Sequence, residues 1–405
     1  MSNLDCIFKP KSIAVVGASR QRGSIGREIL HSLIDYGFNG PVFPVNPKAD
    51  VIHSIKCYPS ILDIPDPVDL AVIVVPKEYA LNVVEECGIK GVKGLVVITA
   101  GFRETGEKGA KLEKELISIV KKHNMRMVGP NCMGVVNTAG SIRMDATFAP
   151  EHPIKGNVGF LSQSGALGVV ILRLINKLNL GFSMFVSLGN KTDISGNDIL
   201  EYWEKDPETD VILMYLESFG NPRKFTRIAR RISKKKPLIA VKAGRTIQGA
   251  RAASSHTGAL AGADIAADAL FDQCGVIRVS SIEEMFDLAL AFSSQSLPES
   301  NKVAILTNAG GPGIMATDAC VNLGLEVVEF TNETKKNLKK ILPEEASVGN
   351  PLDIIASGGP EDYNRALDII IRDPNVDSVI VILSLIHISE PTRPLYISYA
   401  VFCLK

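Results

Sequence analysis

Short runs of β-branched residues alternate with amphipathic stretches along most of the chain, and this alternation leaves few folds open to it. The first cycle sets the runs Ser12–Val16, Val42–Val45, Leu70–Val75, Leu95–Thr99 and Met125–Val128 between helical stretches that start near Ser24, Glu78 and Glu107. A second cycle begins at Asn157 with VGFLSQSG and continues through FSMFVSLG, VILMYLES and PLIAVKAG to GVIRV. A third opens at KVAILTNAGGPG, after the polar, proline-bearing linker Ser293–Asn301. Strand–helix–strand order of this kind predicts α/β domains in tandem, built on parallel sheets. A length of 405 residues agrees with two or three domains.

Each cycle repeats one device, a strand followed by a glycine-rich turn and a helix N-terminus. It occurs at Gly17–Gly26, Ser162–Gly168 and Asn308–Gly313. A helix N-terminus presents unpaired N–H groups and the positive end of the macrodipole, and glycine lets a phosphate approach the backbone. One such turn can be a mere tight connection; three point to phosphate chemistry. Forty-four basic and 44 acidic residues cancel, so an anionic ligand is held by local groups and no global field draws nucleic acid. No apolar run approaches the roughly 20 residues a membrane span needs, and MSNLDCIFKPKSIAVVG lacks a signal-peptide layout. Seven scattered cysteines without a CxxC pair read as reduced thiols in the cytoplasm.

The first turn, VVGASRQRGSIGREIL, spaces its glycines as Gly17, Gly23 and Gly26, which is not the G-x-G-x-x-G fingerprint. A NAD site would also carry an acid at the end of the second strand; here that strand ends Val45-Asn46-Pro47-Lys48. A lysine there suits a ribose phosphate, which leaves NADP or coenzyme A. Of six histidines, His31, His53, His123, His152 and His387 sit in helix flanks or proline-bearing loops and read as structural or solvated. His256 differs, because it lies among small residues in ARAASSHTGALAGAD, where a ligand can come close to the imidazole.

These motifs carry a resemblance. GAS…G..G, VNPK, IVVP (Ile73–Pro76), ITAGF (Ile98–Phe102) and GPNCMG (Gly129–Gly134) appear in the order of the CoA-binding domain shared by succinyl-CoA ligases and NDP-forming acyl-CoA synthetases. S-x-H-T-G-A-L-A-G, complete around His256, resembles the phosphohistidine loop of the latter family. The resemblance implies a Rossmann-like CoA-binding domain (1–145), a flavodoxin-like succinyl-CoA-ligase domain (146–297) and a truncated third ligase domain (298–382). It implies CoA contacts from Gly17, Ala18, Ser19, Gly23, Gly26, Lys48 and Pro76, with Asn131 lining the acyl site and Cys132 a small buried residue. In such enzymes acyl-CoA and phosphate give acyl phosphate, whose phosphoryl group passes through a histidine to ADP. His256 would be that carrier and Glu217 the acid that orients it, since a neutral imidazole nitrogen is nucleophilic near neutral pH. Ser162, Ser164, Gly165, Ser255, Thr257 and Gly258 would hold the phosphoryl charge.

The resemblance also implies what lies elsewhere. ADP or ATP and Mg²⁺ are expected on an ATP-grasp domain, fused or separate, because neither a G-x-x-x-x-G-K-[ST] nor an acidic cluster appears here. The expected partners are that half, a small carboxylic acid and phosphate, in a hetero-oligomer or a homodimer of a fused chain. Leu383–Arg393 resembles a translated sequencing adapter, so residues 383–405 are expected to be non-native and the third sheet to end on an open edge. Two other readings compete: a CoA-binding regulatory module of a protein-lysine acetyltransferase, and an NADP-dependent oxidoreductase. Neither has a use for a complete SSHTGALAG loop.

Overall fold

The computed structural model describes residues 4–246, 248, 264–383 and the backbone of 399–404. The chain forms two compact units, residues 1–293 and 294–405.

Two sheets organise the first unit. β1 (Ile13–Val16), β2 (Val42–Val45), β5 (Leu70–Ile73), β6 (Gly94–Val97) and β7 (Arg126–Val128) form one parallel sheet in the order β2-β1-β5-β6-β7; the hairpin β3 (Val51–Ile52) and β4 (Ile55–Lys56) stands apart. β1, β5 and β6 are buried at every position, as strands covered on both faces must be. The helices α2 (Ile25–Asp35), α3 (Lys77–Lys90) and α4 (Glu107–Lys122) follow the strands, as the sequence predicts; a one-turn helix α1 (Asp5–Phe8) precedes them. α2 turns Ile29, Leu30 and Leu33 inward, which is one helical face by spacing.

The second sheet runs β14-β13-β12-β10-β11-β8-β9. Its parallel strands are β10 (Lys155–Ser162), β11 (Phe182–Ser187), β12 (Val211–Leu216), β13 (Leu238–Lys242) and β14 (Ile277–Val279). An antiparallel hairpin, β8 (Gly134–Asn137) and β9 (Met144–Thr147), closes the β11 edge. The sequence reading names no strands in these residues and expects parallel sheets. The structure instead uses them to cover an edge that parallel crossovers leave open, which only spatial proximity can decide. α5 (Gly165–Lys177), α6 (Gly196–Trp203) and α7 (Pro222–Ile232) cover this sheet, with Trp203 fully buried beneath Gly159.

In the second unit β15 (Lys302–Thr307) is central, flanked by β16 (Glu326–Val327) and β18 (Ser378–Leu383), with β17 (Leu352–Asp353) at its end. The expected open edge is not there: β19 (Tyr399–Leu404) pairs antiparallel along all of β18, satisfying its outward backbone groups. Exposed apolar side chains include Leu383 at the end of β18 and, on and just after the helix Gly310–Asn322, Ile314, Met315, Val321 and Leu323.

Candidate active site

In both sheets of the first unit the parallel strands follow one rule: the first strand is central and the third lies on the opposite side from the second. Open α/β sheets bind ligands at the carboxyl ends of the strands where the order reverses. The reversal falls between β1 and β5 in the first sheet, and between β10 and β12 in the second.

Gly17 leaves β1 at φ +97, and a Cβ there would stand 2.6 Å from the Val74 carbonyl oxygen. Its amide donates to the Val45 carbonyl at 2.9 Å. Gly26, in the first turn of α2, lies so close that its Cβ would be 2.1 Å from the Gly17 oxygen. Ser19 Oγ accepts from the Gln21 amide at 3.0 Å, and Glu28 accepts from the Gly23 amide at 3.1 Å. Asn46 Nδ2 donates to the Ala18 carbonyl at 2.6 Å, while Asn46 Oδ1 accepts from the Lys48 amide at 2.9 Å. Lys48 is exposed, and Pro76 forms the exposed start of α3. All seven residues expected at CoA therefore lie at the carboxyl ends of β1, β2 and β5. Cys132 is buried, and burial pushes its thiol up to about 12, so it is no nucleophile at neutral pH.

The second reversal holds the other group. Ser162 ends β10 fully buried, its hydroxyl spent on the Ser164 carbonyl at 2.7 Å. It also accepts from the Ser164 amide at 3.1 Å, so it shapes the turn that leads into α5. Ser164 caps α5, accepting from the Leu167 amide at 3.4 Å, and Gly165 is the first helical residue. Gln163 is the hub. Its Oε1 accepts from the Glu217 amide, the Ser218 amide and Lys191 Nζ, each at 2.9 Å, and its Nε2 donates to the Ser218 carbonyl at 2.8 Å. These bonds tie the turn after β10 to the turn after β12 and fix where Glu217 stands.

A cavity of about 790 Å³ opens beside them. Gln163, Glu217, Lys191, Lys242 and Arg103 line it together with apolar residues such as Leu200, Phe219 and Leu270. Three cations face one carboxylate, an environment suited to an anion. Burial, reinforced by the neighbouring Arg103 and Lys242, pushes Lys191 down to about 8, although Glu217 opposes the shift. Lys242 is lowered by burial and then by Arg278. His256, Ser255, Thr257 and Gly258 lie outside the described residues. The flanks of that segment are described: Lys242 on one side and Ala266 on the other line the cavity, and Arg245 pairs with Asp264 at 3.7 Å.

The loop after β11 links the two sites. Asn190, which also lines the cavity, donates from its amide to the Pro130 carbonyl at 2.8 Å, and its side-chain oxygen accepts from Asn131 Nδ2 at 3.5 Å. Asn190 Nδ2 donates to Glu104 at 2.6 Å and Glu113 at 2.7 Å, while Arg103 donates to the Asn190 carbonyl. Burial works against Glu104, yet the bonds from Asn190 and the Gly101 amide hold its carboxyl below the usual range. Asn131 thus stands one residue from the Glu217 cavity. Sequence reasoning missed Gln163, Lys191, Lys242 and Arg103. Only Gln163 carried a signal, as the unassigned member of SQSG; the three cations come from separate segments, Lys242 at the end of β13 and Arg103 and Lys191 after β6 and β11, and nothing local marks them.

Comparison with known proteins identifies the domains. A CoA binding domain model matches residues 11–138, a succinyl-CoA ligase like flavodoxin domain 155–292, and a ligase-CoA domain 303–397. Fold and site together define a coenzyme A ligase architecture. Acetate–CoA ligase [ADP-forming] II subunit alpha of Pyrococcus furiosus is 46% identical, over 94% of this chain and 82% of that one. Acetate–CoA ligase [ADP-forming] I of Archaeoglobus fulgidus is 47% identical over 94% of this chain, which spans about half of it (55%). The solved acetyl-coenzyme A synthetase 1 of Ca. Korarchaeum cryptofilum, in complex with phosphate and ADP, superposes with a TM-score of 0.90 at 42% identity, over 95% of this chain and 82% of that one. The chain belongs to the NDP-forming acyl-CoA synthetase family, and corresponds to the alpha subunit or amino-terminal part of its ADP-forming acetate–CoA ligases.

Proposed function

We propose that this chain is the CoA-binding and phosphoryl-carrying part of an ADP-forming acyl-CoA ligase acting on a small carboxylic acid. One observation carries the reading. The cavity at the second reversal is lined by Glu217 and three cations, and the segment bearing His256 departs from and returns to its lining. In the ATP-forming direction phosphate attacks the thioester carbonyl, giving acyl phosphate and free CoA. The His256 imidazole then takes the phosphoryl group, releasing the carboxylate, and passes it to ADP. Glu217 accepts a hydrogen bond from the ring N–H opposite the attacking nitrogen and so fixes the tautomer. The glycine turn at Gly17–Gly26 and the exposed Lys48 hold the CoA nucleotide, and Asn131 faces the acyl end.

ADP and Mg²⁺ are assigned to an ATP-grasp half, supplied as a fused segment or a separate subunit. Among the described residues no cluster of three or more His, Cys, Asp or Glu could hold a metal. The cytoplasm is the proposed compartment: among the described residues no helix is long and apolar enough to cross a membrane, and Cys6, Cys57, Cys87, Cys132, Cys274 and Cys320 are free thiols. Residues 383–405 are proposed to be non-native.

The test is phosphorylation of the chain by ATP and magnesium in the presence of a family ATP-grasp subunit. The label should be acid-labile and alkali-stable, as a phosphoramidate is, and absent from His256→Ala. A label that survives His256→Ala would refute the mechanism.

A further inference from the structure

The loop Gly189–Thr192 is built with more constraint than a connection needs. A Cβ on Gly189 would lie 2.2 Å from the Pro130 carbonyl oxygen, Lys191 adopts φ +57, and the Thr192 amide donates to the Gly129 carbonyl at 3.3 Å. Left-handed backbone at a non-glycine residue costs energy and persists where surrounding contacts hold it. Here the contacts aim one side chain: Lys191 Nζ enters the cavity and donates to Gln163 Oε1 and Ser218 Oγ, each at 2.9 Å. An ammonium has three donors, so these two bonds orient the group and, among the described residues, leave a third for a ligand.

We propose that Lys191 is a phosphate-binding residue of this site, its ammonium holding the oxygens of inorganic phosphate beside the Asn131 turn. The position suits the step, because phosphate must meet the acyl carbon near Asn131 and the new acyl phosphate must then reach the Glu217 cavity. Asn190 touches the first place and Lys191 the second, so one loop spans both. The groups facing Lys191 are Arg103, Lys242 and Glu217, with Glu104 and Glu113 behind Asn190. Burial and the two cations keep the ammonium close to losing its proton, and a bound phosphate dianion would hold the proton on. This inference rests on the ligase reading for the identity of the anion.

The experiment titrates the full chain with inorganic phosphate by calorimetry, and with CoA as a separate ligand. Lys191→Met should weaken phosphate roughly 10- to 100-fold, the usual loss for one charge-assisted contact, and leave CoA affinity and melting temperature unchanged. Lys191→Arg should retain most of the affinity. Wild-type phosphate binding should fall as pH rises from 7.5 to 9.5, and the Lys191→Arg variant should not follow. If Lys191→Met loses its fold, Lys191→Gln and the pH comparison with Lys191→Arg still decide. Equal phosphate affinity in Lys191→Met and wild type, or no phosphate binding by the wild type, would overturn the proposal. Failure of the wild type to bind CoA would instead sink the ligase reading, so the two failures are distinguishable.

Discussion

Replacing Gly26 by alanine should damage CoA binding through packing alone. Gly26 is buried in the first turn of α2 and has no left-handed backbone to lose. A Cβ there would stand 2.1 Å from the Gly17 oxygen, 2.9 Å from the Gly17 carbonyl carbon and 3.3 Å from Ala18 Cα. All three are backbone atoms, so none can rotate aside. Gly17 is itself pinned, by its bond to the Val45 carbonyl and by its own closeness to Val74. Either α2 or the turn must therefore shift by about 1 Å to regain ordinary contact, because packed interiors leave no slack. The helix also anchors Ile29, Leu30 and Leu33, so its shift strains the core. Overpacking of this kind costs about 1–3 kcal/mol, or roughly 2–5 °C in melting temperature for a unit of this size. Gly23→Ala is the control: nothing lies within 4 Å of its Cβ, and only φ +78 is strained, which costs about 1–2 kcal/mol. Scanning fluorimetry and calorimetric titration with CoA should find Gly26→Ala weakened at least about tenfold in CoA affinity (1.4 kcal/mol), and more than Gly23→Ala. A Gly26→Ala chain with wild-type melting and CoA affinity would refute the packing argument.

Lys48→Ala should weaken CoA by about 1.5–3 kcal/mol while dephospho-CoA loses little; equal losses on calorimetry would remove Lys48 from the ribose phosphate. Glu217→Gln should slow phosphorylation of the chain roughly 10²-fold with CoA affinity intact, and a wild-type rate in a quench-flow assay would exclude the orienting role. His152 gives a pH prediction. Its ring bonds Asp145 at 2.8 Å and Asp35 at 3.0 Å, and the bond to Asp145, opposed by burial, raises its pKa. A raised histidine stabilises fully below its unfolded value near 6.5 and loses that stability as pH rises through the folded value. Melting curves between pH 5.5 and 8.5 should therefore fall more steeply with pH in the wild type than in His152→Gln; parallel curves would show that the contact is not coupled to protonation.

Strand and helix order, the glycine turns and the lysine after β2 were legible because each is a local pattern: burial sets the apolar runs, and φ or close approach sets the glycines. SSHTGALAG stood out as the proposed phosphoryl-carrier segment for the same reason, a run of small residues with no core to build. The antiparallel hairpin Gly134–Thr147 was not legible, since a strand chooses its partner by which edge is open in space. Nor was the burial of Ser162, whose hydroxyl is consumed two residues away by a turn the sequence only outlines. Least legible was the charge around Glu217. Arg103 and Lys191 follow strands of two different sheets, Lys242 ends a third strand, and each alone is an ordinary cation. Sequence by itself determined which turns could approach a phosphate, because backbone geometry is a property of neighbours along the chain. Tertiary structure decided which charges share a cavity, because electrostatic influence depends on distance and burial, and neither is written in sequence order.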